Sequence, residues 1–505
     1  TLGPNLTKLT NNLCDDEFHF KQWLISPYMP TPTIIEAAQA LYRGHGVKEI
    51  SRSSAGAYNL SLTTKVLNRI IEQSKQYHQK SICFVTGVPG AGKTLVGLNI
   101  ANERHQYDKQ EHAVFLSGNG PLVAVLREAL VRDEIKRCKG KITKITSKRK
   151  VAAFIQNIHH FRDTYLPPSE QVPAEKVTIF DEAQRAWTKE QTAKFMLKRH
   201  VPSWNMSEPE FLISVMDRHQ DWAVIICLIG GGQEIHTGEA GLLAWFDALR
   251  NHFPHWNVYV SPQISDVEYT QGKPLESLFM GLHLYQEKKL HLSVSLRSFR
   301  NEKVSAFVKS LLDENLPIAQ QLYSELSLNY PIVITRSLEK AKQWVQNQSR
   351  GTERYGLISS SGAKRLRQFG IWVQNDIQAE NWFLNDKEDV RSSYFLEETA
   401  TEFDIQGLEI DWAIVAWDAD FRIEKGHFKA YNFKGSSWKI VRKKDAQLYL
   451  KNTYRVLLTR ARQGFVIFIP KGCDEDLTRH SSFYDGIYYY LKEIGIKELC
   501  LSEEQ

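Results

Sequence analysis

Residues 87–94 read Gly-Val-Pro-Gly-Ala-Gly-Lys-Thr, a Gly-x-x-x-x-Gly-Lys-Thr run without a mismatch. In chemical terms this is a phosphate cradle. Gly87, Gly90 and Gly92 let backbone N–H groups turn inward around an anion, and the positive end of a following helix adds to the field. Lys93 reaches the β- and γ-phosphates of a nucleoside triphosphate such as ATP, and the Thr94 hydroxyl sits on Mg2+. Such a loop needs a strand before it and a helix after it. Ile82-Cys83-Phe84-Val85 is an apolar run that predicts a buried strand, and Leu95 to Ala101 predicts a helix.

A second constellation is Val177-Thr178-Ile179-Phe180-Asp181-Glu182-Ala183-Gln184. Here an apolar strand ends in two carboxylates. Asp181 is assigned to the Mg2+ that Thr94 also touches, and Glu182 to the general base that polarises the attacking water. A third is Ile229-Gly230-Gly231-Gly232-Gln233-Glu234, where Gln233 emerges at a strand tip and its amide can sense the γ-phosphate. Four more segments follow. Leu296-Arg297-Ser298-Phe299-Arg300 opens a helix, and Gly356 to Ser361 ends a strand. Thr401 to Asp411, with Gln406-Gly407-Leu408-Glu409 at its centre, precedes another strand. Asn452 to Arg462 reads as a helix leading into the last strand.

The elements that must hold these residues alternate between strand and helix. Strands are expected at Ile82–Thr86, Ala113–Leu116, Val177–Phe180 and Ala223–Ile229, then at Pro331–Thr335, Tyr355–Ser359, Trp412–Ala416 and Phe465–Ile469. Short β-branched runs separated by helical stretches predict parallel sheets covered on both faces. The division expected is an N-terminal extension over 1–60, a first domain over 61–275 and a second over 276–505, with a joint near Gln271-Gly272-Lys273-Pro274. Within the extension, the segment from Pro27 to Thr33 reads as an extended arm and Ile34 to Tyr42 as a short helix.

Bulk properties narrow the function classes. A chain of 505 residues with 42% hydrophobic and 24% charged content is a multi-domain globular protein by composition. Its longest apolar stretch, Trp222 to Ile229, is too short to span a bilayer, so no membrane partner is expected. Six scattered cysteines without Cys-x-x-Cys spacing argue against a zinc site or disulfide framework and suit a cytoplasmic setting. The chain opens on Thr1 without a secretory signal, which suggests a processed or truncated piece with an effector domain upstream. Net charge is +6, and the positive charge is clustered. Lys136, Arg137, Lys139, Lys141, Lys144, Lys148, Arg149 and Lys150 crowd one stretch. Lys439, Arg442, Lys443 and Lys444 lie beside Trp438. Both runs suit phosphates, as does the Ser117-to-Leu122 turn, so single-stranded DNA or RNA is the expected partner.

Taken in order, the motifs resemble those of superfamily 1 helicases and translocases over roughly residues 75–470, most clearly in the P-loop, Asp-Glu-Ala-Gln, Gln-Gly-Leu-Glu and Leu-Thr-Arg-Ala-Arg. Within that superfamily, Phe84 to Leu98 and Gly230 to Gly241 look most like the helicase domain of group 3 Schlafen proteins and many bacterial proteins. The resemblance implies an α/β fold with two RecA-like domains and ATP in the cleft between them. It implies Arg297 and Arg460 at the γ-phosphate, Glu409 on the ribose, and Gln406 with Gly407 joining the ATP site to the strand. A guanidinium there neutralises phosphoryl charge only when the cleft closes, which ties closure to ATP.

Three departures qualify this. Gly231 stands where the third motif usually has Asp. The adenine-reading Gln is open among Gln73, Gln76 and Gln79. The interval between the P-loop helix and Asp181 leaves little room for an inserted strand-separating domain. A translocase or a nucleic-acid-gated switch is therefore favoured over a strong unwinder. A second reading is a regulatory ATPase that switches a protein partner or an upstream effector, for example in antiviral defence.

Overall fold

The structure is a computed structural model that describes residues 32–45, 54–88, 90–107, 112–199, 201, 204–230, 241–265, 278–294 and 299–499. The first half builds one sheet from β1 (Lys80–Gly87), β2 (His112–Ser117), β3 (Ile155–Asn157), β4 (Glu175–Asp181), β5 (Ala223–Leu228), β6 (Asn257–Val260), β7 (His283–Gln286) and β8 (His291–Leu292). Their order is β3-β2-β4-β5-β1-β6-β7, and β8 pairs with the end of β1. Every pairing is parallel.

The second half contributes β9 (Ile332–Thr335), β10 (Tyr355–Ser359), β11 (Thr399–Thr401) and β12 (Ile410–Ala416). Next come β13 (Phe421–Glu424), β14 (His427–Lys434) and β15 (Ser437–Ile440), then β16 (Ala461–Phe468) and β17 (Lys497–Glu498). Its main sheet runs β11-β10-β12-β16-β9-β17 and is again parallel. β13, β14 and β15 form a separate antiparallel sheet.

Burial explains the apolar runs. In β1, Cys83 and Val85 face a cluster with Leu95 and Val96 of the P-loop helix. Ile82 and Phe84 face the opposite cluster with Trp245 and Phe246. A strand buried on both faces has no polar side to alternate with. β12 repeats the arrangement: Ala413 and Val415 point into one cluster, Ile414 and Ala416 into another.

All eight expected strands are present. The missed ones in the parallel sheets are two to four residues long, too short for a periodic pattern. The antiparallel sheet was not expected either. The helix expected through Arg462 stops at Leu458. The Thr459 hydroxyl turns back onto the carbonyls of Arg455 and Val456, and Arg462 already lies in β16, 3.4 Å from Asp411. Ile34–Tyr42 is helical, started by a capping box between Thr33 and Glu36. Most of the extended arm and the expected joint at 271–274 fall outside the described residues. The first sheet runs on to Leu292, past the boundary expected at 275.

Candidate functional site

The P-loop leaves β1 at Gly87, and the helix Lys93–Tyr107 starts at its lysine. Gly90 and Gly92 have φ of +75° and +86°, a conformation that favours glycine and lets the loop curl back over itself. The Lys93 ammonium donates to the carbonyls of Gly87 and Val88 at 2.8 and 3.3 Å, so its charge sits over the mouth of the loop. β8 fixes the loop from below: the Val88 N–H donates to the Leu292 carbonyl at 3.0 Å, and Thr86 contacts His291 at 2.9 Å. Sequence reasoning missed β8, because two residues carry no pattern.

β4 is adjacent to β5, which pairs with β1, so its tip opens beside the loop. The Thr94 hydroxyl donates to Asp181 Oδ1 at 3.1 Å. Asp181 is buried, and burial together with the Glu182 charge pushes its carboxyl up to about 7, against the pull of Thr94 and Lys93. A buried carboxylate facing a hydroxyl is a pair of hard oxygen donors with uncompensated charge. That donor set fits Mg2+, which takes few protein ligands and completes its shell with water and phosphate. Among the described residues no group of three or more His, Cys, Asp or Glu side chains could hold a metal alone.

Glu182 follows with φ of +52°. Its Oε2 accepts from the Gln184 amide at 2.5 Å, while Gln184 Oε1 accepts from the Gly230 N–H at 3.0 Å. A Cβ on Gly230 would stand 2.6 Å from the Glu182 carboxylate. A Cβ at Gly230 would therefore displace the movable ends of Glu182 and Gln184, and Gln184 orients Glu182; neither role was assigned from sequence. The third-motif Gln233, with Gly231, and Arg297 lie outside the described residues.

In the second half, Gln406 is buried and its carbonyl accepts from the Asn119 amide at 2.6 Å. Asn119 also caps the helix Gly120–Arg137 by accepting from the Leu122 N–H. A Cβ on Gly407 would meet the same Asn119 amide at 3.3 Å. The turn after β2 therefore touches the Gln-Gly-Leu-Glu segment directly. The Ser117 hydroxyl is buried inside that turn, where it accepts from the Asn119 N–H, so it is not presented outward. Glu409 is half-buried just before β12. Arg460 is buried between the helix Lys444–Leu458 and β16, its Nε donating to the Val456 carbonyl and its own carbonyl accepting from the Ile410 N–H at 3.2 Å. Glu409 and Arg460 thus flank the same β12–β16 pairing.

The basic clusters are partly committed. Lys144 pairs with Glu128 and Lys150 with Glu134. Lys136, Arg137, Lys139, Lys141, Lys148 and Arg149 remain exposed on the same flank. Trp438 packs on Phe433 and donates to the Thr478 carbonyl, so it is a wall of the antiparallel sheet beside exposed Lys439, Arg442, Lys443 and Lys444. No described helix is long and apolar enough to cross a membrane.

Several solved helicase structures are similar to the chain at low identity. The DUF1998 helicase MrfA bound to DNA is 10% identical with a TM-score of 0.32; the match covers 93% of this chain and 55% of that one, so this chain spans about half of MrfA. The Pyrococcus furiosus Hef helicase domain is 12% identical with a TM-score of 0.26, covering 83% of this chain and 97% of that one. S. cerevisiae Dbp5 bound to RNA and ADP BeF3 is 11% identical with a TM-score of 0.30, covering 88% and 93%. No curated protein matches. The family model of the Schlafen group 3, DNA/RNA helicase domain matches residues 80–471, from the first residue of β1 to just past β16. The chain belongs to the Schlafen group 3 DNA/RNA helicase domain family.

Proposed function

We propose that the chain is an ATP- and Mg2+-dependent motor on single-stranded DNA or RNA, with two RecA-like domains, the first carried past the expected boundary at 275 as far as β8. The observation that carries this reading is the Thr94–Asp181 hydrogen bond of 3.1 Å, with Glu182 next in line and Lys93 across the loop. Gly87, Gly90, Gly92 and Lys93 bind the phosphates. Thr94 and Asp181 would hold Mg2+, which when bound neutralises phosphate charge. Glu182, oriented by Gln184, accepts a proton from the attacking water. Arg460 and Arg297 supply the cationic clamp, Gln233 senses the γ-phosphate and Glu409 binds the ribose. Gln406 and Gly407, hydrogen-bonded and packed against Asn119, relay nucleotide state to the strand.

The test is the ATPase rate with and without single-stranded DNA, single-stranded RNA and duplex at two salt concentrations, with Lys93→Ala as the blank. Strong stimulation by one polymer, weakened by salt, supports the motor and names its track. A rate indifferent to every polymer overturns it in favour of a switch acting on a protein partner, a reading that Gly231 in place of Asp favours.

A further inference from the structure

Just past the end of β10 stand two hydroxyls, Ser360 and Ser361, that the proposed function does not use. Each leads to a buried carboxylate. The Ser360 hydroxyl donates to Asp420 Oδ2 at 2.6 Å, and the Tyr454 hydroxyl donates to Oδ1 of the same group at 2.6 Å. Ser361 donates twice to Glu402, from its N–H at 2.8 Å and from its hydroxyl at 2.7 Å, and the Thr453 hydroxyl donates to Glu402 Oε1 at 3.4 Å. Two consecutive residues after β10 are thus bridged to two consecutive residues of the helix Lys444–Leu458, each bridge passing through one carboxylate.

Burial makes the bridges firm. Glu402 is 2% exposed, and Ser360, Asp420 and Tyr454 are fully buried. A carboxylate that lost its donors there would have no water to replace them.

Glu402 is also the start of the single-turn helix Glu402–Ile405. That turn is fixed at both ends. The Thr401 N–H and hydroxyl donate to Asp404 at 2.8 and 2.6 Å, and the Gln406 N–H donates to the Glu402 carbonyl at 3.2 Å. Beyond it, the Gln406 carbonyl holds the Asn119 amide of the first half. Glu402 is therefore a rigid post, and Thr453 is tied to it. Val456, one turn on from Thr453, accepts from Arg460 Nε at 3.3 Å, so the setting of this helix sets the arginine that follows it.

We infer that Glu402 is a positioning residue for hydrolysis: through Thr453 it fixes the helix that aims Arg460. This deepens, and rests on, the motor reading above, in which Arg460 belongs to the cationic clamp.

The test is a double-mutant cycle. kcat and KM for ATP are measured with single-stranded DNA and with single-stranded RNA for the unmodified protein, Glu402→Ala, Arg460→Ala and the double variant, and thermal melting follows the fold of each. Glu402→Ala should lower kcat on the order of 10–100-fold, with KM changed by less than about threefold. In the Arg460→Ala background the same change should cost less than about twofold, because a group already removed cannot be misplaced. Glu402→Gln keeps an acceptor for the Ser361 N–H and should hold kcat within about threefold of the unmodified protein. Where Glu402→Ala fails to fold, Thr453→Val removes the one link and leaves Ser361 in place; it should lower kcat by about three- to tenfold and be silent in the Arg460→Ala background. Losses that multiply in the double variants, or an unchanged kcat in Glu402→Ala or Thr453→Val, overturn the role of Glu402 and leave the motor standing. An unchanged kcat in Arg460→Ala overturns the clamp itself.

Discussion

At the scale of single residues, the site depends on a few close approaches. Glu182 is held by Gln184 and hemmed in by Gly230. On the proposed reading, Glu182→Gln should lower kcat by about 10²–10⁴-fold while ATP binding persists, measured by steady-state ATPase and nucleotide titration. Lys93→Ala should abolish hydrolysis by the same assay. Gly230→Ala is the sharper case. Its new methyl would push aside the flexible ends of Glu182 and Gln184, so on the proposed reading kcat should fall by up to about 100-fold with little change in nucleotide affinity. The sequence marked Asp181, Glu182, Lys93 and Thr94 because their spacing is set by chemistry. It did not mark Gln184 and Gly230 as partners of Glu182, because their contact is made across 46 residues by the β4–β5 pairing and no local pattern reports it.

At the scale of elements, buried ionisable groups set local stability. Arg162 and Glu208, an ion pair at 3.1 Å, are 1% and 3% exposed. Arg162→Ala leaves a buried carboxylate unpaired and should cost about 3–5 kcal/mol, read from urea unfolding followed at the tryptophans. Asp420, just after β12, accepts from Ser360 and Tyr454, each at 2.6 Å, and burial raises its carboxyl to about 7. The native state therefore holds a proton that the unfolded chain has already released once pH exceeds the ordinary carboxylate range. The stability tied to this group is full below that range, falls as pH climbs toward 7 and is level above it. Asp420→Asn should flatten that slope in unfolding free energy measured from pH 4 to pH 8. Strands were legible where both faces are buried, as in β1 and β12, because such runs are continuously apolar. The short edge strands and the β13–β15 sheet were not legible. In β14, exposed His427, Lys429 and Asn432 interrupt the apolar positions, and only the pairing with β13 and β15 makes it a strand.

At the scale of the whole molecule, the described residues join the two halves by polar bonds at two places. Asn119 reaches Gln406, and Arg132 reaches the Leu384 carbonyl and Asn385 at 2.9 and 2.7 Å. Strand binding on the flank of Lys148 and Arg149 should be electrostatic. Replacing both with Ala should reduce the slope of log affinity against log salt by about 1.4 for a single strand, at about 0.7 per phosphate contact, measured by titration across a salt series. One arrangement described above has a mechanical meaning. The residues that brace the P-loop, His291 and Leu292, are the last described strand before the chain passes toward Arg297 and the second half. The connecting cable is thus spliced onto the floor of the phosphate loop. A pull on that connection would act on the phosphate loop through both the Leu292–Val88 bond and the Thr86–His291 contact.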